Sequence, residues 1–194
     1  MDIGERLFFL LLYAIFVKNL WHSLSSQPYN ILALISEGLI VVFTIIRRDA
    51  QMVTTRPGDW LVALLGTALP LLVKAGGHPV APLFVGSALM AFGLIFSFYA
   101  KLTLRRSFGL AAANRGVVNS GPYRVVRHPI YAGYILMYVG FLLNNPLVLN
   151  LFLYLVAIGL LILRVMAEEI VLTRDPHYLT LLDRVHYRLM PGVF

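Results

Sequence analysis

Apolar runs long enough to cross a bilayer recur along this chain, and they restrict its fold more than any other feature. They fall near residues 6–25, 29–46, 59–76, 80–100, 129–144 and 146–164, each close to the roughly 17–25 residues with which a helix traverses the hydrocarbon layer. The last two are divided by Asn144-Asn145-Pro146, a turn signal short enough to be the tip of a helical hairpin. Composition agrees: of 194 residues, 59% are hydrophobic and 13% charged, and mean hydropathy is +0.80, as in an integral membrane protein. The expected fold class is all-α, a polytopic transmembrane helical bundle of about six spans. The first run follows Arg6 without a small-residue cleavage site and is expected to be a retained helix. The residues after 164 carry Arg174, Asp175, His177, Asp183, Arg184 and Arg188 among apolar positions, the pattern of an interfacial C-terminal segment folded back over the bundle. No composition break or long linker divides the chain. Residues 1–100, an N-terminal four-span region, and 101–194, a helical hairpin with its connecting loop and C-terminal segment, are therefore read as one integrated domain.

Cations fall on one side of these runs. Arg47, Arg48 and Arg56 follow the second, Lys101, Arg105, Arg106, Arg115, Arg124 and Arg127 the fourth, and Arg164, Arg174, Arg184 and Arg188 the sixth. The opposite connections hold only Lys18 and Lys74, near span ends. The positive-inside rule then places both termini and the cationic loops in the cytoplasm. The net charge of +7 follows from such loops meeting anionic headgroups, and nucleic-acid binding has no support. The absence of cysteine excludes disulfides, thiolate metal sites and a cysteine nucleophile. His22, His78, His128, His177 and His186 show no ligand spacing with acidic partners, so no metal is expected.

Two polar motifs interrupt the apolar pattern. The stretch Gly121 to Tyr134, with Arg127 and His128 directly before Pro129, is a basic turn that runs into an apolar helix. Unpaired amides and the positive end of the dipole favour an anionic group at such a helix start. Arg164, Glu168 and Glu169 come at the end of the next run. At 1.5 Å per residue the fifth helix climbs roughly 25 Å to Asn144 and the sixth descends about as far to Arg164, so both motifs return to one membrane face. Arg164 and Glu168, four apart, share a helix face. If the two helices pack antiparallel, the Arg127-His128 turn meets them, and a cationic wall opposes an acidic one. Such a cleft suits a zwitterion, or a ribose whose hydroxyls seek a carboxylate.

At these residues the sequence resembles the isoprenylcysteine carboxyl methyltransferase family, in the manner of a prokaryotic-type member, within a wider group of integral-membrane methyltransferases that includes phospholipid methyltransferases. The resemblance covers about residues 100–194. It rests on Asn114-Arg115-Gly116-Val117-Val118, Gly121-Pro122-Tyr123, Arg127-His128-Pro129-Ile130-Tyr131-Ala132-Gly133, Arg164 with Glu168-Glu169, and Tyr178 and Pro191 in the tail. It implies a pocket for S-adenosyl-L-methionine at the cytosolic ends of the last helices, covered by the C-terminal segment. Cofactor contacts are implied for Arg115, Gly116, Val117, Val118, Tyr123, His128, Pro129, Ile130, Tyr131 and Glu168, and Arg164 becomes the catalytic, substrate-side residue. A sulfonium is a strong methyl donor, so transfer needs mainly positioning and electrostatics. A carboxylate acceptor requires no base, and Arg164 would hold it with a fork of donors.

The leading expectation is therefore an S-adenosylmethionine-dependent carboxyl O-methyltransferase acting on a lipidic or otherwise amphiphilic acceptor, a small molecule or a lipidated substrate, among membrane lipids. Methylation of a phospholipid amine or a small thiol is the alternative. A non-catalytic membrane scaffold or transporter is a third reading, carried by Lys18 and Glu37 inside the first two runs. Structural readings stand beside these. His128 serves equally as a cap ahead of Pro129, and Arg124 and Arg127 as a topology anchor. Arg164 with Glu168 reads as a helical ion pair worth about 0.3–0.5 kcal/mol when exposed. Tyr134 and Tyr138 read better as packing or belt residues. Lys18 is expected to snorkel, and Glu37 either pairs with it or marks a substrate path. Gly86, Ser87, Gly93 and Gly133 are read as close-packing positions, and Asn114 and Asn119 as turn residues.

Overall fold

The computed structural model describes residues 2–46, 52–53, 56–104, 113–114 and 117–193. Each expected run is a helix: α1 (Asp2–Trp21), α2 (Ile31–Ile46), α3 (Pro57–Ala68), α4 (Leu83–Leu104), α5 (Pro129–Asn144) and α6 (Val148–Leu172), followed by a short α7 (Pro176–Leu182). Two of these, α4 and α6, are long and apolar enough to cross a membrane. Six helices thus occupy the six expected places, and crossing by length and apolarity holds for these two. Large apolar side chains such as Phe84, Phe92, Ile95, Phe152 and Leu155 point outward on them, which is costly in water and suits lipid.

Helix ends differ from expectation for local reasons. After Ala68, α3 tightens into a 3-10 turn, Leu69–Leu72, where Pro70 lacks the N–H that would continue the ladder. Helix α6 runs on to Leu172, about two turns past the expected end. Arg164, Glu168 and Glu169 consequently sit inside a helix, with fixed spacing, rather than in a fraying terminus.

The connections gather at two ends. At one, buried asparagines tie three loops together. Asn145 Nδ2 donates to Asn30 Oδ1 (3.1 Å), Gly76 N donates to Asn145 Oδ1 (3.1 Å), and Asn150 both accepts from Lys74 N (3.0 Å) and donates to Lys74 O (2.7 Å). These bonds join the α1–α2, α3–α4 and α5–α6 connections. At the other end, strand β1 (Met52–Val53) pairs antiparallel with β2 (Ala113–Asn114), Met52 opposite Asn114. That ladder joins the α2–α3 and α4–α5 connections, and β2 also touches α6. The helices therefore alternate in direction through the bundle.

Packing of α5 departs from a simple hairpin with α6. Its main partner is α4, while α6 lies against α3 and the Leu69–Leu72 turn. Glycines explain this choice. A Cβ on Gly93 would lie 2.6 Å from Gly133 O, and one on Gly133 would lie 2.7 Å from Gly93 O, so the two backbones touch where both side chains are absent. Gly86 and Gly140 repeat the arrangement, a Cβ on Gly86 falling 2.7 Å from Gly140 O. Between α5 and α6 the bridge is aromatic: the Tyr138 and Tyr154 rings stack with centroids 4.4 Å apart, and Phe141 meets Tyr154 edge-on at 5.9 Å. Tyr134 and Tyr138 are buried, in keeping with their reading as packing residues.

Candidate functional site

The Arg127-His128 turn and the acidic stretch of α6 meet at the end of the bundle that holds the β1–β2 ladder. Pro122 and Pro129 shape the turn. A 3-10 turn, Gly121–Arg124, opens with Gly121 at φ +55°, a left-handed conformation that favours glycine, and Pro129 begins α5 at its first position. His128 is the residue preceding that helix, yet its side chain makes no capping bond. The ring instead lies between two carboxylates, Nδ1 3.6 Å from Glu168 Oε2 and Nε2 3.3 Å from Glu169 Oε1. The capping reading of His128 is thereby replaced by a charge-facing one.

Glu168 is the hub. It accepts a hydrogen bond from the Tyr131 hydroxyl, and Arg164 Nε donates to its Oε1 at 3.3 Å. The Arg164 guanidinium also lies over the Tyr131 ring, 5.2 Å from the centroid, and the His128 and Tyr131 rings stack at 5.9 Å. Arg164 is only 6% exposed, so this pair is far from the exposed helical ion pair of the structural reading. A desolvated charge pair is strongly costly to break on one side.

Glu169, absent from the expected site list, is nearly as connected. Arg188 Nε donates to its Oε2 at 2.8 Å, and Arg127 Nε lies 3.2 Å from its Oε1 without an aligned hydrogen bond. Backbone bonds Arg127 N to Tyr187 O (2.9 Å) and His128 N to Arg188 O (2.8 Å) lay the C-terminal segment along the turn. Tyr178, Leu181 and Val185 form a small core of their own, against which Val117 packs. Val118 joins the main core, where Tyr123, Ile130 and Tyr131 are buried, and Pro129 is buried beside them. Arg115 and Gly116 lie outside the described residues.

Electrostatics keep the phenols here neutral. Burial, and then the Glu168 charge, push the Tyr123 hydroxyl well above its usual range. Burial and the Glu169 charge do the same for Tyr178. Tyr178 Oη and Arg127 Nε are buried without a hydrogen-bond partner among the described residues. The cluster thus offers one partly exposed carboxylate, a buried phenol without a hydrogen-bond partner among the described residues, a guanidinium ion-paired to Glu169, and stacked rings.

Two charged residues read otherwise from the sequence lie deeper. Lys101, counted with the cations of the fourth connection, is fully buried within α4. Glu37 is attracted to Lys101 rather than paired with Lys18, which is exposed. A cation close behind a long apolar run looks like a loop residue, and here the helix simply continues past it.

Residues 81–175 match the family model for phospholipid methyltransferases, a stretch that holds α4 to α6 and the whole His128, Tyr131, Arg164 and Glu168 cluster. No curated protein matches the chain. Over this stretch the chain is similar to the phospholipid methyltransferase family, which belongs to the isoprenylcysteine-carboxyl-methyltransferase-like integral-membrane methyltransferases.

Proposed function

We propose that the chain is an S-adenosylmethionine-dependent methyltransferase that modifies the polar head of a membrane amphiphile. The observation that carries this reading is the convergence of His128, Tyr131 and Arg164 on the Glu168 carboxylate, within a stretch that matches a methyltransferase family. The residues fit the cofactor's chemistry. Glu168 suits ribose hydroxyls or an ammonium, and the Arg127 guanidinium, ion-paired to Glu169, and the buried Tyr178 hydroxyl, without a hydrogen-bond partner among the described residues, suit a carboxylate and a further acceptor. When bound, S-adenosylmethionine supplies a methyl group activated by a positively charged sulfur.

The chain's own residues then position and desolvate. His128 and Tyr131 fix Glu168, the stacked rings shape an apolar wall, and the Arg188 segment covers the turn against water. Arg164 is assigned to the acceptor: a carboxylate would find in its guanidinium a cationic partner and would lose no proton on methylation. All six helices are taken to span the membrane, with the cluster at the cytoplasmic face, as the loop cations support.

A second reading, methylation of a phospholipid amine, is favoured by the phospholipid methyltransferase match. An amine must shed a proton before or during transfer, so its rate rises with pH, whereas a carboxylate with a pKa near 4 is already ionised. Incubating membranes that contain the protein with methyl-labelled cofactor tests both. Label in a lipid-soluble product is expected. Its release by base as methanol identifies an ester, and its retention identifies an amine or thioether. Neither transfer nor binding of an adenosyl ligand would instead support the scaffold or transporter reading.

A further inference from the structure

One group of buried polar side chains lies outside the cluster just described. Lys101 on α4 is 0% exposed and Glu37 on α2 is 5% exposed. They attract one another, yet no direct ion pair or hydrogen bond joins them among the described residues. The Lys101 ammonium stands 4.9 Å from the centroid of the Tyr134 ring. Lys101 Nζ and the Tyr134 hydroxyl are both buried without a hydrogen-bond partner among the described residues.

This arrangement is expensive as architecture. A charge in an apolar interior costs several kcal/mol unless it is paired and hydrogen-bonded, and replacing such groups by apolar ones would be the cheaper way to build a core. Inside a membrane bundle, ionisable side chains without full satisfaction mark ligand pathways. Position adds a second argument. Tyr134 is one turn along α5 from Tyr131, their rings 6.2 Å apart, and Tyr131 binds Glu168. The group thus adjoins the candidate cofactor site through Tyr131.

Resting on the methyltransferase reading above, we propose that Lys101, Tyr134 and Glu37 form the subsite for the acceptor's zwitterionic head. Lys101 Nζ and the Tyr134 hydroxyl donate to its anionic group, a phosphate or a carboxylate, and Glu37 takes its ammonium. Opposite charges held apart suit a ligand that carries both signs, because each then gains a partner without collapsing onto the other. The apolar tail stays among the helices.

Calorimetry on the full chain in nanodiscs tests this with two probes. Dihexanoylphosphatidylethanolamine carries phosphate and amine; S-farnesylcysteine carries carboxylate and amine. Dihexanoylglycerol, which carries neither charge, is the control. The wild type should bind one zwitterionic probe and not the control, and which probe binds tells phosphate from carboxylate. Lys101→Met should weaken that binding by about ten-fold or more, the loss expected for a charged hydrogen bond, Tyr134→Phe should weaken it measurably, and Lys101→Arg should restore part of it. The double variant Lys101→Met with Glu37→Gln removes both buried charges, so it should fold at least as stably and keep adenosyl-ligand binding while losing the probe. Probe affinity unchanged in the double variant and in Tyr134→Phe, or equal binding of the neutral control, would overturn the subsite. Failure of the wild type to bind S-adenosylmethionine would instead sink the methyltransferase reading, since probe binding is measured without it.

Discussion

Glu168 and Glu169 are neighbours on α6, and the roughly 100° of helix rotation between them gives them separate tasks. Glu168 gathers Tyr131, Arg164 and one imidazole nitrogen of His128, while Glu169 gathers the other nitrogen, Arg127 and Arg188. If Glu168 and His128 form the cofactor wall, Glu168→Ala and His128→Ala should abolish cofactor binding in calorimetry. Arg164→Ala should retain binding and lose turnover, and the opposite pattern would refute the assignment. Glu169→Gln tests the other task. It removes the charge that holds Arg188, a hydrogen bond worth about 1.5–3 kcal/mol when well shielded and less here because the Arg188 side chain is 38% exposed. Limited proteolysis should therefore cut the segment after α7 faster, with the helical bundle intact; an unchanged cleavage rate would show that the backbone bonds to Arg127 and His128 suffice. The sequence made Glu168 legible because its partner Arg164 is four residues away on one face. It left Glu169 unassigned because Arg188 comes nineteen residues later, and backbone bonds that carry no side-chain pattern set the path between them.

Among the elements, the α4–α5 seam decides where the His128 turn stands. Gly86 and Gly93 face Gly140 and Gly133 with carbonyl oxygens closer than any Cβ tolerates. Gly93→Leu or Gly133→Leu must push the two backbones apart, since a main-chain carbonyl cannot swing aside as a side chain does. The cost should be about 1–3 kcal/mol or more, read as a fall in thermal midpoint in detergent, with cofactor binding falling too because α5 carries Tyr131 and begins directly after His128. Gly159→Ala on α6 is the contrast. An added Cβ there meets nothing within 4 Å, and alanine is favoured over glycine in a helix by up to about 1 kcal/mol, so the midpoint should hold or rise. Three of the seam glycines were recognisable as close-packing positions from composition alone. That they would bind α5 to α4 rather than to α6 was not recognisable, because a short turn such as Asn144-Asn145-Pro146 fixes only that α5 and α6 are consecutive, not which faces meet.

For the whole molecule, the alternation of six helices follows from the two sets of tied connections, and its orientation in the membrane is open to a direct measurement. Six apolar runs announced the helices, but the ties did not show in the pattern: Asn145 reads as a turn residue and Asn150 falls inside an apolar run, and their partners Asn30 and Lys74 lie 115 and 76 positions away. The chain has no cysteine, so single cysteines can be introduced without background. Ser26 and His78 are exposed at the end held by the asparagines, and Ser120 and Thr180 are exposed at the end that carries the cofactor-site candidates. The described cations Arg56, Arg124, Arg127, Arg174, Arg184 and Arg188 belong to the second end, and cationic loops are retained in the cytoplasm. Ser120→Cys and Thr180→Cys should therefore react with a membrane-impermeant maleimide only after the cells are opened, and Ser26→Cys and His78→Cys should react in intact cells. Labelling of Ser26→Cys and Ser120→Cys from one side would break the alternation itself. A full exchange of the two patterns would leave the bundle standing and invert it, placing the His128 and Glu168 cluster on the face opposite the cytosolic supply of S-adenosylmethionine.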